Sequence, residues 1–109
     1  MPFKRSQRLR HKYNAVPTTV EGIKFASKRE AAYYAELRAL QASGTVIQFL
    51  RQVSFHLPGG TRYVCDFLVF YADGSCSFID VKGFETPAFR KAKKQVEDLY
   101  RPISMEVVK

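Results

Sequence analysis

Apolar residues recur at helical spacing in two stretches of the chain, and the first of these follows a hairpin-like segment at 18–25. Ser27 is a candidate N-cap, and the Ala-, Leu- and Glu-rich segment after it favours a helix that runs to about Ala42 or Ser43. Gly44 then favours termination. The inward stripe of this helix is predicted to comprise Tyr33, Tyr34, Leu37 and Leu40.

The second helical stretch has clear signals at both ends. Thr86 is a candidate cap, Pro87 occupies the first helical position, and Pro102 stops the helix at about Tyr100 or Arg101. Its inner stripe is predicted to comprise Phe89, Ala92, Val96 and Leu99. The segment 103–108, ISMEVV, is predicted to be a strand that returns parallel to the strand before the helix, in a right-handed crossover.

Between the helices the pattern favours strands. Residues 46–57 are rich in β-branched and aromatic residues, and both faces are partly apolar, which indicates a bulge or a central position in a sheet. Residues 63–83 then form two strands joined by a tight turn. Strict alternation puts Tyr63, Cys65, Phe67 and Val69 on one face and Val64, Asp66, Leu68 and Phe70 on the other.

The turn of this hairpin decides whether two acids meet. A two-residue turn, Asp73-Gly74, would place Asp66 opposite Val81. A three-residue loop, 72–74, with Gly74 in the left-handed conformation and a bulge, places Asp66 opposite Asp80. We predict the second register, which brings the two carboxylates side by side.

Composition limits the class of protein. The 109 residues suit a basic N-terminal arm at 1–14 and one domain at 15–109, and no run approaches the ~18 apolar residues of a membrane span. No signal peptide is evident, and two cysteines without a CxxC pair indicate a cytoplasmic protein without a zinc site. The net charge of +8 favours a polyanionic partner, with nucleic acid first.

Three acids and a lysine are candidates for chemistry. Adjacent carboxylates of Asp66 and Asp80 on a mostly apolar face repel each other unless a cation lies between them, and Mg²⁺ prefers such oxygen ligands. Lys82 points to the same side as Asp80, although a buried Asp–Lys salt bridge is the alternative. Glu30 lies on the inward face of the first helix, but it could also complete a capping box with Ser27.

The order helix, three strands, helix, strand, with Glu30, Asp66 and Asp80-Val81-Lys82 at these places, resembles the core of the PD-(D/E)XK nuclease superfamily. The stretches VEGIKFASKREAAYY, DFLVFYADGS and IDVKGF are similar to a small phage and prophage family within it. The layout also resembles that of phage Holliday-junction resolvases and transposon end-cutting endonucleases. The resemblance implies an α/β restriction-endonuclease-like fold with a mixed central sheet flanked by helices.

The resemblance further implies a Mg²⁺-dependent endonuclease, in which Mn²⁺ can substitute, acting on double-stranded or branched DNA in phage processing, recombination or packaging. Asp66, Asp80 and the backbone carbonyl of Val81 would hold the metal, with Glu30 directly or through water, Lys82 as a catalytic group and Gln52 as an accessory. The residues expected to contact DNA are Lys4, Arg5, Arg8, Arg10, Lys12, Lys28, Arg90, Lys91, Lys93 and Lys94.

The chain departs from the superfamily pattern at two positions, and three rival interpretations are also open. Cys65 precedes Asp66 where the nominal motif has proline, and Asp80 stands where Glu is commoner. One rival is a non-catalytic nucleic-acid-binding module that keeps the fold for its basic groove. Another is a strict junction resolvase, which needs two active sites and therefore a homodimer. A third is a small virion or ribosome-associated protein that binds no metal.

Overall fold

The computed structural model describes residues 16–109, so the predicted basic arm, with Lys4, Arg5, Arg8, Arg10 and Lys12, lies outside the described residues. The strands are β1 (Thr18–Val20), β2 (Ile23–Phe25), β3 (Val46–His56), β4 (Arg62–Tyr71), β5 (Cys76–Val81) and β6 (Met105–Val108). The helices are α1 (Lys28–Ala42), α2 (Pro87–Leu99) and a short 3₁₀ turn, Pro58–Gly60. Neither α-helix within residues 16–109 has the length and apolar content to cross a membrane.

The main sheet has four strands in the order β3-β4-β5-β6. The β3–β4 and β4–β5 pairs are antiparallel, whereas β5 and β6, joined through α2, are parallel. The predicted mixed α/β sheet is therefore confirmed, including the parallel return. The short hairpin β1–β2 forms a separate two-stranded sheet that packs beside α1.

The predicted helix signals act as expected. The Ser27 hydroxyl accepts a hydrogen bond from the Glu30 backbone N–H (3.1 Å), and the Thr86 hydroxyl accepts one from the Phe89 N–H (3.0 Å). Each bond satisfies one of the N–H groups that the first turn of a helix leaves unpaired. Gly44 follows α1 with a φ of 88°, a conformation that favours glycine.

The predicted three-residue loop of the central hairpin is confirmed. Phe70 pairs with Cys76 and Phe67 with Ile79, and this register, continued by one residue past the end of the ladder, places Asp66 opposite Asp80. Gly74 has a φ of 92°, and its N–H donates to the Tyr71 carbonyl (3.0 Å). A two-residue turn would have shifted the pairing by one residue.

Two apolar clusters lie under the two helices. The first joins α1 and β2 to Phe67, Val69, Ile79 and Val81, among others. The second joins α2 to Phe55, Tyr63, Cys65 and Met105, among others. Burial alternates along β4 as predicted, with Tyr63, Cys65, Phe67 and Val69 all buried, but the first two belong to the second cluster and the last two to the first.

The predicted inner stripe of α2 needs one correction. Val96 is fully buried, and Phe89 and Ala92 pack against the second cluster, but the Leu99 side chain is 52% exposed. Tyr100 takes its place, because α2 ends at Leu99 and the chain turns there. The Tyr100 ring lies 5.1 Å from that of Phe55, and its hydroxyl donates to the His56 carbonyl (2.6 Å).

Candidate functional site

The candidate site lies where regular pairing between β4 and β5 ends. Beyond the Phe67–Ile79 pair, two carboxylates bond to the backbone of the opposite strand. The Asp66 N–H donates to Asp80 Oδ1 (3.1 Å), and the Val81 N–H donates to Asp66 Oδ2 (2.9 Å). The two acids therefore satisfy donors that the ladder would otherwise pair, which fixes both carboxylates at the point where the strands part.

The neighbouring strand is distorted at the same level. Gln52 lies opposite Asp66 in the register and has a φ of 56°, one of two such non-glycine positions within residues 16–109. This conformation is uncommon for residues other than glycine, asparagine and aspartate. The pairs on either side, Arg51–Phe67 and Val53–Cys65, keep their register but face different clusters. The buried residues of β3 and β4 therefore pass from the first apolar cluster to the second at the candidate site.

Glu30 is buried and its carboxylate is held by β3. The Gln52 side-chain amide donates to Glu30 Oε2 (3.2 Å), and the Arg51 guanidinium lies 3.8 Å from the same oxygen. Arg51 also stacks over the Phe25 ring, 4.5 Å from its centroid, and its buried Nε has no hydrogen-bond partner among residues 16–109. Ser27 performs its half of the predicted capping box, whereas the Glu30 carboxylate is engaged by β3.

Asp80 is 1% exposed, and both of its oxygens accept hydrogen bonds. Oδ1 accepts from the Asp66 N–H, and Oδ2 accepts from the hydroxyl of Tyr63. Sequence reasoning missed Tyr63. The available signal was that a tyrosine on a buried strand face requires a partner for its hydroxyl.

The electrostatics of the three acids are unfavourable without a cation. Burial raises the pKa of Asp66 to about 6, and the negative charges of Glu30 and Asp80 add to the increase. Burial also raises the pKa of Glu30, against the opposing effect of Arg51, and it raises the pKa of Asp80 despite the Tyr63 hydrogen bond. Such crowding of partly desolvated carboxylates is typical of functional sites.

Lys82 follows the last residue of β5, and its N–H donates to the Val108 carbonyl (2.9 Å). Its ammonium group lies 4.9 Å from the centroid of the Phe89 ring. The positive charge lowers the pKa of Glu30, Asp66 and Asp80. The four predicted catalytic residues, Glu30, Asp66, Asp80 and Lys82, therefore lie close enough for their charges to interact. Gln52 is hydrogen-bonded to Glu30.

The carboxylates of the site offer oxygen donors of the kind that Mg²⁺ prefers. Within residues 16–109 no three His, Cys, Asp or Glu side chains form a preassembled metal cage. Asp66 Oδ1 and Glu30 Oε1, however, lie outside the hydrogen bonds that hold these two acids. Mg²⁺ is commonly held by one or two carboxylates, with water and substrate phosphate completing the shell, so this all-oxygen set fits Mg²⁺.

The predicted DNA-contacting residues of α2 are only partly free. Lys91 and Lys94 are exposed, but Lys93 pairs with Glu97 (3.0 Å) and Arg90 donates to the Glu85 carbonyl (2.8 Å). Lys28 is exposed at the start of α1. A cleft of about 340 Å³ beside α2 is lined by Glu85, Arg90, Lys93, Lys94, Glu97, Met105 and Val107. Lys93 also lowers the pKa of Asp80, which links this cleft to the site.

Comparison with known proteins gives one family. The family model described as "Protein of unknown function (DUF1064)" matches residues 10–109, which include every residue of the candidate site. A search of curated proteins found no match.

Proposed function

We propose that this chain, which belongs to the DUF1064 family, is a metal-dependent endonuclease that hydrolyses phosphodiester bonds in DNA. The observation that carries the proposal is the convergence of Glu30, Asp66, Asp80 and Lys82 where β4 and β5 part. Three carboxylates with raised pKa values are costly to keep together unless a cation and a reaction require them. The restriction-endonuclease-like fold is part of the same proposal.

Each residue has a role that follows from its contacts. Asp66, with Oδ1 outside its hydrogen bond, would be the principal metal ligand, and Asp80 the second. The Val81 carbonyl and Glu30, directly or through water, would complete the protein's share of the shell. Gln52 would keep Glu30 aimed at the site through the bond to Oε2.

When bound, a divalent cation supplies Lewis-acid polarisation of the phosphate and makes water a stronger nucleophile at neutral pH. Lys82 stabilises negative charge that develops on the phosphate oxygens, because its ammonium group is held against Phe89 beside the three acids. The exposed Lys91 and Lys94 on α2 would contact the DNA backbone and position the duplex without reading its sequence.

A non-catalytic nucleic-acid-binding module is the second candidate, and one observation favours it. Both Asp80 oxygens already accept hydrogen bonds within the protein, from the Tyr63 hydroxyl and the Asp66 N–H. A carboxylate used in this way can serve structure alone. This candidate predicts DNA binding that is unaffected by Mg²⁺ and no cleavage.

The test is cleavage of supercoiled plasmid and of linear, flapped, nicked and four-way DNA with Mg²⁺ or Mn²⁺. We expect metal-dependent cutting that falls on the order of a hundredfold in Asp66→Asn and in Lys82→Met, since each change removes a charge from the site. The panel of DNA shapes also distinguishes phage recombination, which would favour branched substrates, from packaging or general processing.

Matched controls are available elsewhere in the chain. Asp73→Asn alters an exposed turn acid of the same hairpin, and Lys24→Met removes an exposed lysine of β2. Both are expected to retain the cleavage step. Absence of metal-dependent cutting on every substrate, with DNA binding intact, would favour the binding module. If metal-dependent cutting is observed, sedimentation with four-way DNA separates a dimeric resolvase from a monomeric nuclease.

A further inference from the structure

The Tyr63 side chain links the candidate site to the second core. Its hydroxyl donates to Asp80 Oδ2, and its ring lies 6.2 Å from that of Phe89, centroid to centroid. Phe89 in turn faces the ammonium group of Lys82, 4.9 Å away. One aromatic pair thus contacts the side chains of two proposed site residues, Asp80 and Lys82.

We propose that Tyr63 is a positioning residue that fixes the Asp80 carboxylate for cation binding, an inference that rests on the proposed function. A carboxylate has two oxygens with about four lone-pair positions in total. The Asp66 N–H and the Tyr63 hydroxyl occupy one position on each oxygen, and together they hold the plane of the group. The remaining positions are then presented in one fixed orientation.

The burial of Asp80 makes this role necessary. The residue is 1% exposed, so water cannot replace a missing hydrogen bond to Oδ2 as it could at the surface. Without the hydroxyl, the carboxylate would rotate towards other donors. Hydrogen-bonding partners of ligating groups typically contribute about 10- to 100-fold to metal affinity. Tyr63 therefore acts on cation affinity through Asp80, without itself contacting the cation.

The experiment is calorimetric titration of the full chain with Mn²⁺, for wild type, Tyr63→Phe and Tyr100→Phe. Tyr63→Phe removes only the hydroxyl and is expected to weaken Mn²⁺ binding by about tenfold or more. Tyr100→Phe is the matched control. Its hydroxyl also makes a hydrogen bond in the second cluster, to the His56 carbonyl at 2.6 Å, and the variant is expected to bind as wild type does.

A second measurement uses wild type alone, so that it stands even if Tyr63→Phe does not fold. In an NMR titration of protein labelled with ¹³C at tyrosine, Mg²⁺ should shift the ring signal of Tyr63. The shift should follow the dissociation constant of the cation site, and the signal of Tyr100 should not move. Folded Tyr63→Phe that binds Mn²⁺ as tightly as wild type, or more tightly, would overturn the inference. So would an unmoved Tyr63 signal. Wild type that binds no divalent cation would instead refute the proposed function, and this inference with it.

Discussion

At the scale of single residues, the site is built on two acids, the half-buried Asp66 and the buried Asp80, that accept hydrogen bonds from the backbone. Asp66 and Asp80 each accept an N–H from the opposite strand, so neither is left without donors. These bonds lower the pKa of both acids, yet burial outweighs them and the pKa of each is raised. The ionised site therefore destabilises the folded, metal-free chain, and this can be measured.

Asp66→Asn should stabilise the metal-free protein at neutral pH. The folded state keeps the Asp66 proton up to about pH 6, whereas the unfolded state releases it near pH 3.8. Over this window the folded state binds more protons, so its stability falls as the pH rises. We expect the free energy of unfolding of Asp66→Asn, relative to wild type, to increase by about 2 kcal/mol between pH 4 and pH 7.

Urea unfolding in the presence of a chelator, at several pH values, measures this difference. Asn keeps an oxygen that can accept from the Val81 N–H, so the comparison isolates the charge. The control is Asp73→Asn, because hydrogen bonds from Ser75 lower the pKa of Asp73. The ionised Asp73 carboxylate therefore stabilises the folded state, opposite to Asp66, and this stabilisation is lost as the pH falls. A stability difference for Asp66→Asn that does not change with pH would contradict the raised pKa.

At the scale of elements, the β4–β5 hairpin depends on its three-residue loop. The loop brings Asp66 opposite Asp80, and it closes because Gly74 adopts a φ of 92° while its N–H bonds to the Tyr71 carbonyl. A Cβ at Gly74 would meet no heavy atom within 4 Å. Any cost of substitution there is therefore conformational rather than steric.

Gly74→Ala should accordingly destabilise the protein by about 1 kcal/mol, because alanine disfavours positive φ. Gly74→Asn should cost less, since asparagine enters this region more readily. Thermal or urea unfolding of the two variants beside wild type measures the difference. Equal losses in both would indicate that backbone conformation at this position is not the cause.

At the scale of the whole molecule, charge is distributed unevenly around the site. The net charge is +8, yet the site holds three acids that are buried or half-buried, while α2 carries two exposed lysines, Lys91 and Lys94. The predicted basic run on α2 is interrupted by ion pairing, since Lys93 is bound to Glu97. Not every cation of this helix is therefore available to a polyanion, and Lys91 and Lys94 are the ones to test.

Replacing both Lys91 and Lys94 with alanine should weaken DNA binding and its dependence on salt. For each phosphate that the protein no longer neutralises, the slope of log K against log salt should become shallower by about 0.9, and so by about 2 for the pair. Fluorescence anisotropy with duplex DNA at several salt concentrations measures the slope. The control, Lys24→Ala with Arg38→Ala, removes the same charge from the β1–β2 hairpin and α1, which pack into the first apolar cluster and not into the one beneath α2. Equal effects of both pairs would indicate that net charge, rather than the position of the α2 lysines, governs binding.

The sequence by itself determined the features that depend on neighbouring residues. Ser27 and Thr86 mark helix starts because a side-chain oxygen reaches an N–H three residues later, and Gly44 and Gly74 mark turns because they adopt positive φ. These signals act within a few residues, so a pattern can reveal them. For the hairpin turn the sequence left two registers open, and the three-residue loop was predicted because it brings Asp66 opposite Asp80.

Only the tertiary structure decided how the site is held. The Tyr63–Asp80 and Gln52–Glu30 hydrogen bonds join residues 17 and 22 positions apart in the sequence. Both form where the buried residues of β3 and β4 pass from one apolar cluster to the other. This change of cluster coincides with Gln52 at positive φ, which the alternation of apolar and polar residues does not reveal. Likewise, Leu99 is exposed because the chain turns after it and Tyr100 fills the core. Such choices depend on what the opposing elements leave space for, which no local pattern records.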